Sequence, residues 1–278
     1  MSRGRLARQT RVLALHAALA ALAVATLLPL WWMLAASLMP AGEAADAGLR
    51  LWPSRPTFSH YRALFEQLHL ARQLANSALL ATAVTAISLA VNTAAGYAFA
   101  KLRFRAREPL FRGLLAAMVI PGQVAMLPLF LLLEALGLVN TFAGVIVPGI
   151  ASVFAIFLVR QYALGIPDSL LDAARVDGAG EARVFWSIAL PALRPILVTL
   201  AVFTFLGSWN DFLWPLIVLS DDRLQTLPVA LANLAGEHVQ DTELMMAGAV
   251  ITVLPVVALF VLLQRYYMAG LLAGAVKE

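Results

Sequence analysis

Asp211 is the only charged residue between Pro195 and Ser220. A carboxylate in such apolar surroundings is costly, and is ordinarily paired or put to use. Few other residues are equipped for chemistry. The histidines are His16, His60, His69 and His238. His16 stands alone in an apolar run, where helix packing is the ordinary role. The other three fall in connecting segments. No H-E-x-x-H array occurs, so the spacing that gathers two imidazoles and a base around a metal is missing. Lys101 and Lys277 are the only lysines, and neither follows the G-x-x-x-x-G run that cradles phosphate. Cysteine is absent, which removes disulfide and thiolate chemistry. A membrane enzyme would need a cluster of catalytic or metal-binding groups. Neither a catalytic residue nor a metal ligand is expected here.

The elements that hold these residues follow from composition. Only 13% of the 278 residues are charged and 62% are hydrophobic. A soluble domain carries about 25% charged residues, so water is not the expected solvent for most of this chain. A helix needs roughly 20 apolar residues to cross a bilayer. Six stretches qualify, at 12–38, 74–100, 113–133, 141–159, 196–219 and 244–264. The expected fold class is therefore all-α, a polytopic membrane protein with six transmembrane helices in a single domain over residues 1–278. The first run follows Arg3, Arg5, Arg8 and Arg11 and is longer than the apolar core of a signal peptide. An uncleaved first helix is expected. Prolines 121, 128, 148, 215 and 255 interrupt the later spans. Each removes an amide donor and tends to kink a helix.

Charge sets the orientation. With the N-terminus inside, fifteen of the 20 basic residues fall in inner segments, and Arg50, Arg55, Arg62, Arg72 and Arg223 fall outside. That is the positive-inside bias. Both termini are then cytoplasmic. The net charge of +4 reports insertion and contact with the lipid bilayer, and no nucleic acid is expected as a partner.

The inner segment at about 160–195 has no run able to span. Ser169 and Asp172 have capping-box spacing, which predicts a helix over 169–177. Gly178 ends it, because glycine enters the left-handed region at little cost. A second short helix is expected at about 180–190, before Pro191 and Pro195. Two readings of this pair are open: a connector lying on the membrane surface, or a docking element whose displacement passes into the flanking spans.

The same segment resembles the cytoplasmic signature loop of bacterial binding-protein-dependent ABC importer permeases. That pattern reads E-A-A, three residues, G, nine residues, I-x-L-P. Here Asp172, Ala173, Ala174, Gly178, Ile188, Leu190 and Pro191 stand at matching positions, with Asp177 and Ala179 flanking the glycine. Asp172 departs from the glutamate of the pattern, keeping the charge on a shorter arm. Other stretches are similar to carbohydrate-uptake permeases of the maltose and glycerol-phosphate type. They are Asn92, Gly96, Tyr97, Ala98, Lys101 and Phe104, then Ser208 to Pro215, then Gln264 to Lys277.

The resemblance implies the ABC type I importer permease fold and a coupling-helix loop at 160–195 in the bacterial inner membrane. The chain would be one half of a sugar-importing pore, with a homologous second permease as the other half. Two cytoplasmic ATP-binding subunits would use ATP and Mg, and this chain would bind no cofactor itself. An extracytoplasmic solute-binding protein would deliver the carbohydrate. Asp172, Ala173, Ala174, Asp177, Gly178, Ala179, Ile188, Leu190 and Pro191 would form the ATPase-coupling site. Arg175 and Arg183 would pair with ATPase acids or lipid headgroups, and the tail from Gly270 to Lys277 would touch the ATPases. Trp209, Asn210, Asp211 and Tyr97 are the candidates for pore or solute contact, against packing and interface anchoring as their ordinary roles. A secondary transporter is the competing class. It would need ionisable relay residues in several spans, and Asp211 alone is thin provision for one.

Overall fold

The computed structural model describes residues 2–46, 50–66, 68–237 and 241–275, and the regular structure there is entirely helical. From Arg265 onward only the backbone is described, so the expected tail contact at Gly270 to Lys277 lies outside the described side chains. In chain order the principal helices are α1 (Ser2–Ala36), α2 (Ser59–Glu66), α3 (Leu70–Lys101), α4 (Arg107–Ala117), α5 (Met126–Ala135), α6 (Phe142–Gly149), α7 (Val153–Leu164), α8 (Asp168–Val176), α9 (Glu181–Trp209), α10 (Leu213–Val218), α11 (Leu227–Glu237) and α12 (Thr242–Ala275).

Among the described residues, five segments are long and apolar enough to cross a membrane: Thr10–Ala36, Leu70–Lys101, Phe142–Leu164, Glu181–Trp209 and Thr242–Leu262. A sixth apolar region is a bent pair of helices. Arg107–Ala117 and Gly122–Ala135 meet at 94°. Pro121, extended at φ −60° and ψ 133°, stops the first half, and a 3₁₀ turn at Gly122–Ala125 begins the second. The sequence therefore marks all six regions, but the third is a bent pair rather than a straight rod.

By contact the chain forms two units. One comprises Met1–Leu70 and Leu231–Leu254. Within it Ala35, Ala36 and Met39 form a small core with Trp32, Ala44 and Met246. His60 shares a hydrogen bond with the Met39 carbonyl at 2.9 Å and lies 3.9 Å from Asp241. Buried Glu243 accepts from the Ala44 N–H at 2.7 Å. Glu43 accepts from Arg50 and from Ser54, and the Ser54 hydroxyl above all holds its carboxyl below the usual range.

The other unit comprises Ala71–Ala230 and Pro255–Glu278. Here α3 and α7 approach closely at Gly96. A Cβ added there would stand 2.6 Å from Val159 Cβ and 2.9 Å from the Ile156 carbonyl oxygen. Small residues permit such contact between membrane helices.

Pro148 and Gly149 end α6, and the chain is irregular until Val153. Exposed backbone polar groups are not tolerated in lipid, so something must satisfy them. Buried Asn92 of α3 does so. Its Oδ1 accepts from the Ser152 N–H at 3.0 Å, and its Nδ2 donates to the Ile150 carbonyl at 3.2 Å and to Ser88 Oγ at 2.7 Å. Ser152 in turn caps α7 by accepting from the Ala155 N–H.

The fifth span is shifted relative to expectation. The helix expected at 180–190 is not separate but is the beginning of α9, which runs unbroken to Trp209. Pro191 has no N–H for the Ser187 carbonyl, and its ring presses on that carbonyl. The helix widens into a π turn at Phe185–Ala189 and continues. At the far end α9 stops short of the expected 219. The N–H and the side-chain amide of Asn210 both donate to the Leu206 carbonyl, and α10 starts afresh at Leu213.

Candidate functional site

The helix α8 is placed by its two ends. Pro167, extended, sets its start, with Asp168 in the first turn and Arg175 in the last, as the helix dipole favours. The expected capping box does not form. The helix begins at Asp168, so Ser169 lies inside it, and no side chain caps the start. Asp172 instead accepts from Arg175 at 2.7 Å.

At the other end Gly178 takes φ +83°. Its N–H donates to the Arg175 carbonyl at 3.0 Å, and the Ala179 N–H to the Ala174 carbonyl at 2.9 Å. This pair of bonds is a Schellman turn. A Cβ at 178 would meet nothing within 4 Å, so backbone conformation alone calls for glycine.

Leu171 is fully buried and seats α8 on the core formed by Tyr97, Ala163, Ile166, Val184 and Leu193. Ala174 and Ala179 pack inward beside it. Leu170, Ala173, Val176 and Asp177 form an exposed ridge on the opposite side, with Val176 87% exposed. The nine expected coupling residues therefore divide. Asp172, Ala173, Asp177 and Gly178 are exposed. Ala174, Ala179 and Ile188 pack against the core, and Leu190 and Pro191 are half-buried in α9. Spacing did not single out Leu170 or Val176, because an apolar side chain in a short helix reads equally well as core.

Ionic bonds surround α8. Lys101, whose side chain is only 6% exposed, donates to the Ile166 carbonyl and to Asp168, each at 2.6 Å. That bond and the Lys101 charge hold the Asp168 carboxyl below its ordinary range. Arg175 donates to both carboxylate oxygens of Glu181 at 2.7 and 3.2 Å. Arg175 is thus paired within the chain, while Arg183 is exposed. Nearby, Arg160 lies 4.1 Å over the Phe111 ring and donates to Glu108 and the Phe99 carbonyl.

A second feature is a cavity of about 450 Å³ at the broken span. Ser88 of α3, Ser152 at the break, and Thr204, Ser208 and Asp211 on and after α9 supply its polar groups. Phe154, Phe203 and Trp214 supply aromatic surface, and Asp211 is its one charged residue. Asp211 Oδ1 accepts from the Trp214 N–H at 3.4 Å.

The other three candidates for solute contact do not line this cavity. Tyr97 is 3% exposed and lies against Phe185, ring centres 5.1 Å apart. Trp209 is buried and stacked on Phe205. Asn210 is exposed, with its amide turned to its own helix. The cavity's hydroxyls come from distant segments, so spacing carried no sign of them. Among the described residues no group of His, Asp and Glu is arranged to hold a metal ion.

Residues 92–271 match the family described as "Binding-protein-dependent transport system inner membrane component". The chain is 40% identical over 252 residues to an arabinooligosaccharides transport system permease protein of Halalkalibacterium halodurans, covering 90% of each. It is 31% identical over 273 residues to a melibiose/raffinose/stachyose import permease protein of Bacillus subtilis, covering 97% of this chain and 98% of that one. The fold is similar to a chain in the crystal structure of a bacterial ABC transporter involved in the import of the acidic polysaccharide alginate. The TM-score is 0.84 at 23% identity, with 96% and 99% of the two chains covered. With its apolar spans, the short helix α8 before a spanning helix and the interrupted fourth span, this chain belongs to the binding-protein-dependent inner-membrane components and is the non-catalytic permease subunit of an ABC-type importer, a family in which ATP hydrolysis resides in partner subunits.

Proposed function

We propose that the chain is one half of the pore of a carbohydrate importer, with a homologous second permease as the other half. Two cytoplasmic subunits hydrolyse ATP with Mg²⁺, and an extracytoplasmic binding protein delivers the solute. Both termini and α8 lie on the cytoplasmic side, as the basic residues favour. The exposed ridge of α8, with Asp172, Asp177 and Arg183 around it, fits a groove on an ATPase subunit. Closure of the ATPase pair moves α8 and opens the spans outward, and hydrolysis returns them.

The observation that carries this reading is the mounting of α8. One face is fixed to the core through Leu171, the other is bare, and its end turns directly into a spanning helix. A connector resting on the membrane surface would need no fully buried anchor in the core.

Solute contact is assigned to the cavity at Asp211. A carboxylate flanked by hydroxyls and aromatic rings suits a neutral, hydroxyl-rich molecule, since a sugar offers donors to the carboxylate and an apolar ring face to the aromatics. An ionised Asp211 would repel a phosphate ester. The relatives named for neutral oligosaccharides support the same class.

The test is ATP hydrolysis by the purified complex in lipid nanodiscs with its binding protein. Arabino-oligosaccharide, raffinose, trehalose and glycerol 3-phosphate are added in turn. A neutral sugar should stimulate hydrolysis several-fold, and Asp211→Asn should alter the order of preference among solutes. Stimulation by glycerol phosphate alone, or by none of the four solutes, would count against the neutral-sugar class.

A further inference from the structure

The helix α8 is tied to the rest of the chain at both ends, and the ties lead to different spans. At its C-terminal end Arg175 binds Glu181, the first residue of α9. At its N-terminal end Lys101, the last residue of α3, holds both Asp168 and the Ile166 carbonyl.

The second tie is unusual in its setting. The Lys101 side chain is 6% exposed, whereas that of its partner Asp168 is 77% exposed. An ammonium taken out of water is costly unless its donors are filled. Two of the three are filled here by groups flanking Pro167. The Ile166 carbonyl lies in the turn between α7 and α8 and is not used by a helix of its own. Lys101 therefore grips the approach to α8 from a span that joins it only 67 residues away in sequence.

The two spans so connected also face one another across the cavity. Val84 and Ser88 of α3 and Leu200, Thr204 and Ser208 of α9 stand on its walls. Motion of α8 that reached only α9 would shift one wall. Motion that reached both would change the separation of the walls.

We propose that Lys101 is a positioning residue for transport, fastening the start of α8 to α3 so that displacement of α8 is delivered to two walls of the cavity. This rests on the reading of α8 as the element that receives ATPase movement. Lys101 touches neither solute nor nucleotide and acts through Asp168 and the backbone at Ile166.

The experiment compares wild type, Lys101→Met, Lys101→Arg and Asp168→Asn in the assembled transporter, reconstituted in proteoliposomes. Two quantities are read in the same vesicles: solute taken up and ATP hydrolysed. Wild type first establishes whether uptake and hydrolysis are linked at all, so failure of the functional reading is visible before any variant is considered. Lys101→Met should lower uptake per ATP by about 10-fold, in the usual range of energetic coupling between sites, while hydrolysis continues. Lys101→Arg, which keeps donors for both partners, should restore most of the ratio. Asp168→Asn, on an exposed side chain, should give a smaller loss with normal recovery of complex. An unchanged ratio in Lys101→Met overturns the proposal. So does a parallel fall of uptake, hydrolysis and complex recovery in Lys101→Met with an unchanged ratio in Asp168→Asn, because that pattern belongs to packing alone.

Discussion

Gly178 is where one residue decides the most local geometry. At φ +83° an L side chain is strained by about 1–2 kcal/mol even where space is free. Gly178→Val should therefore lower the thermal midpoint of the purified complex, and Gly178→Asn should lower it less, because asparagine tolerates this region better. Equal midpoints for the two variants would mean that the turn can reorganise. The need for glycine was legible in the sequence, since it follows an amphipathic run and precedes a second one. Asp211 was legible too, as a lone charge in apolar surroundings. The purpose of Tyr97 was not, because an aromatic ring in a span has the same signature whether it faces a pore or Phe185. Arg175 was read as pairing with ATPase acids or lipid headgroups, and within the chain it also pairs with Glu181, six residues on. The intervening turn brings the pair together, and only the turn's geometry reveals it.

At the scale of elements, breaks in helices matter more than the helices. The fourth span is interrupted at Ile150 to Ser152, and Asn92 supplies the missing hydrogen-bond partners from α3. Removing one partner of a buried hydrogen bond costs about 1–3 kcal/mol. Asn92→Ala should accordingly destabilise the complex in detergent by an amount of that order. A midpoint equal to wild type would show that water or neighbouring groups replace the amide. Proline and glycine announced that irregularity, but Asn92 lies 58 residues before Ile150, and nothing local joins them. The fifth span shows the opposite error. Arg183, Pro191 and Arg194 set the short helix expected at about 180–190 apart from the fifth span, and the π turn lets one helix run through both. Helices are continued by hydrogen bonding, while hydropathy records only the part that lipid touches.

For the molecule as a whole, the scarcity of charge and the six apolar runs were sufficient to give an all-helical membrane protein, since bilayer thickness sets their length. The side on which each connection lies rests on the basic residues. The absence of native cysteine makes this directly measurable. In intact spheroplasts a membrane-impermeant maleimide should label Arg223→Cys and spare Ser169→Cys until the membrane is opened. The reverse pattern would invert the topology and detach α8 from any cytoplasmic partner. The two positions are both exposed, so access to reagent depends on the membrane and not on burial.

The unbroken course of α9 has a mechanical corollary. Its 29 residues make a rod about 43 Å long at the usual rise per residue, with the glycine turn at one tip and the Asn210–Asp211 pair just past the other. Pivoted near one tip, a tilt of roughly 5° would swing the opposite tip by about 4 Å over that length, more than the width of a hydrogen bond. Were α8 pushed as proposed, a swing of that size would need no rearrangement inside the helix.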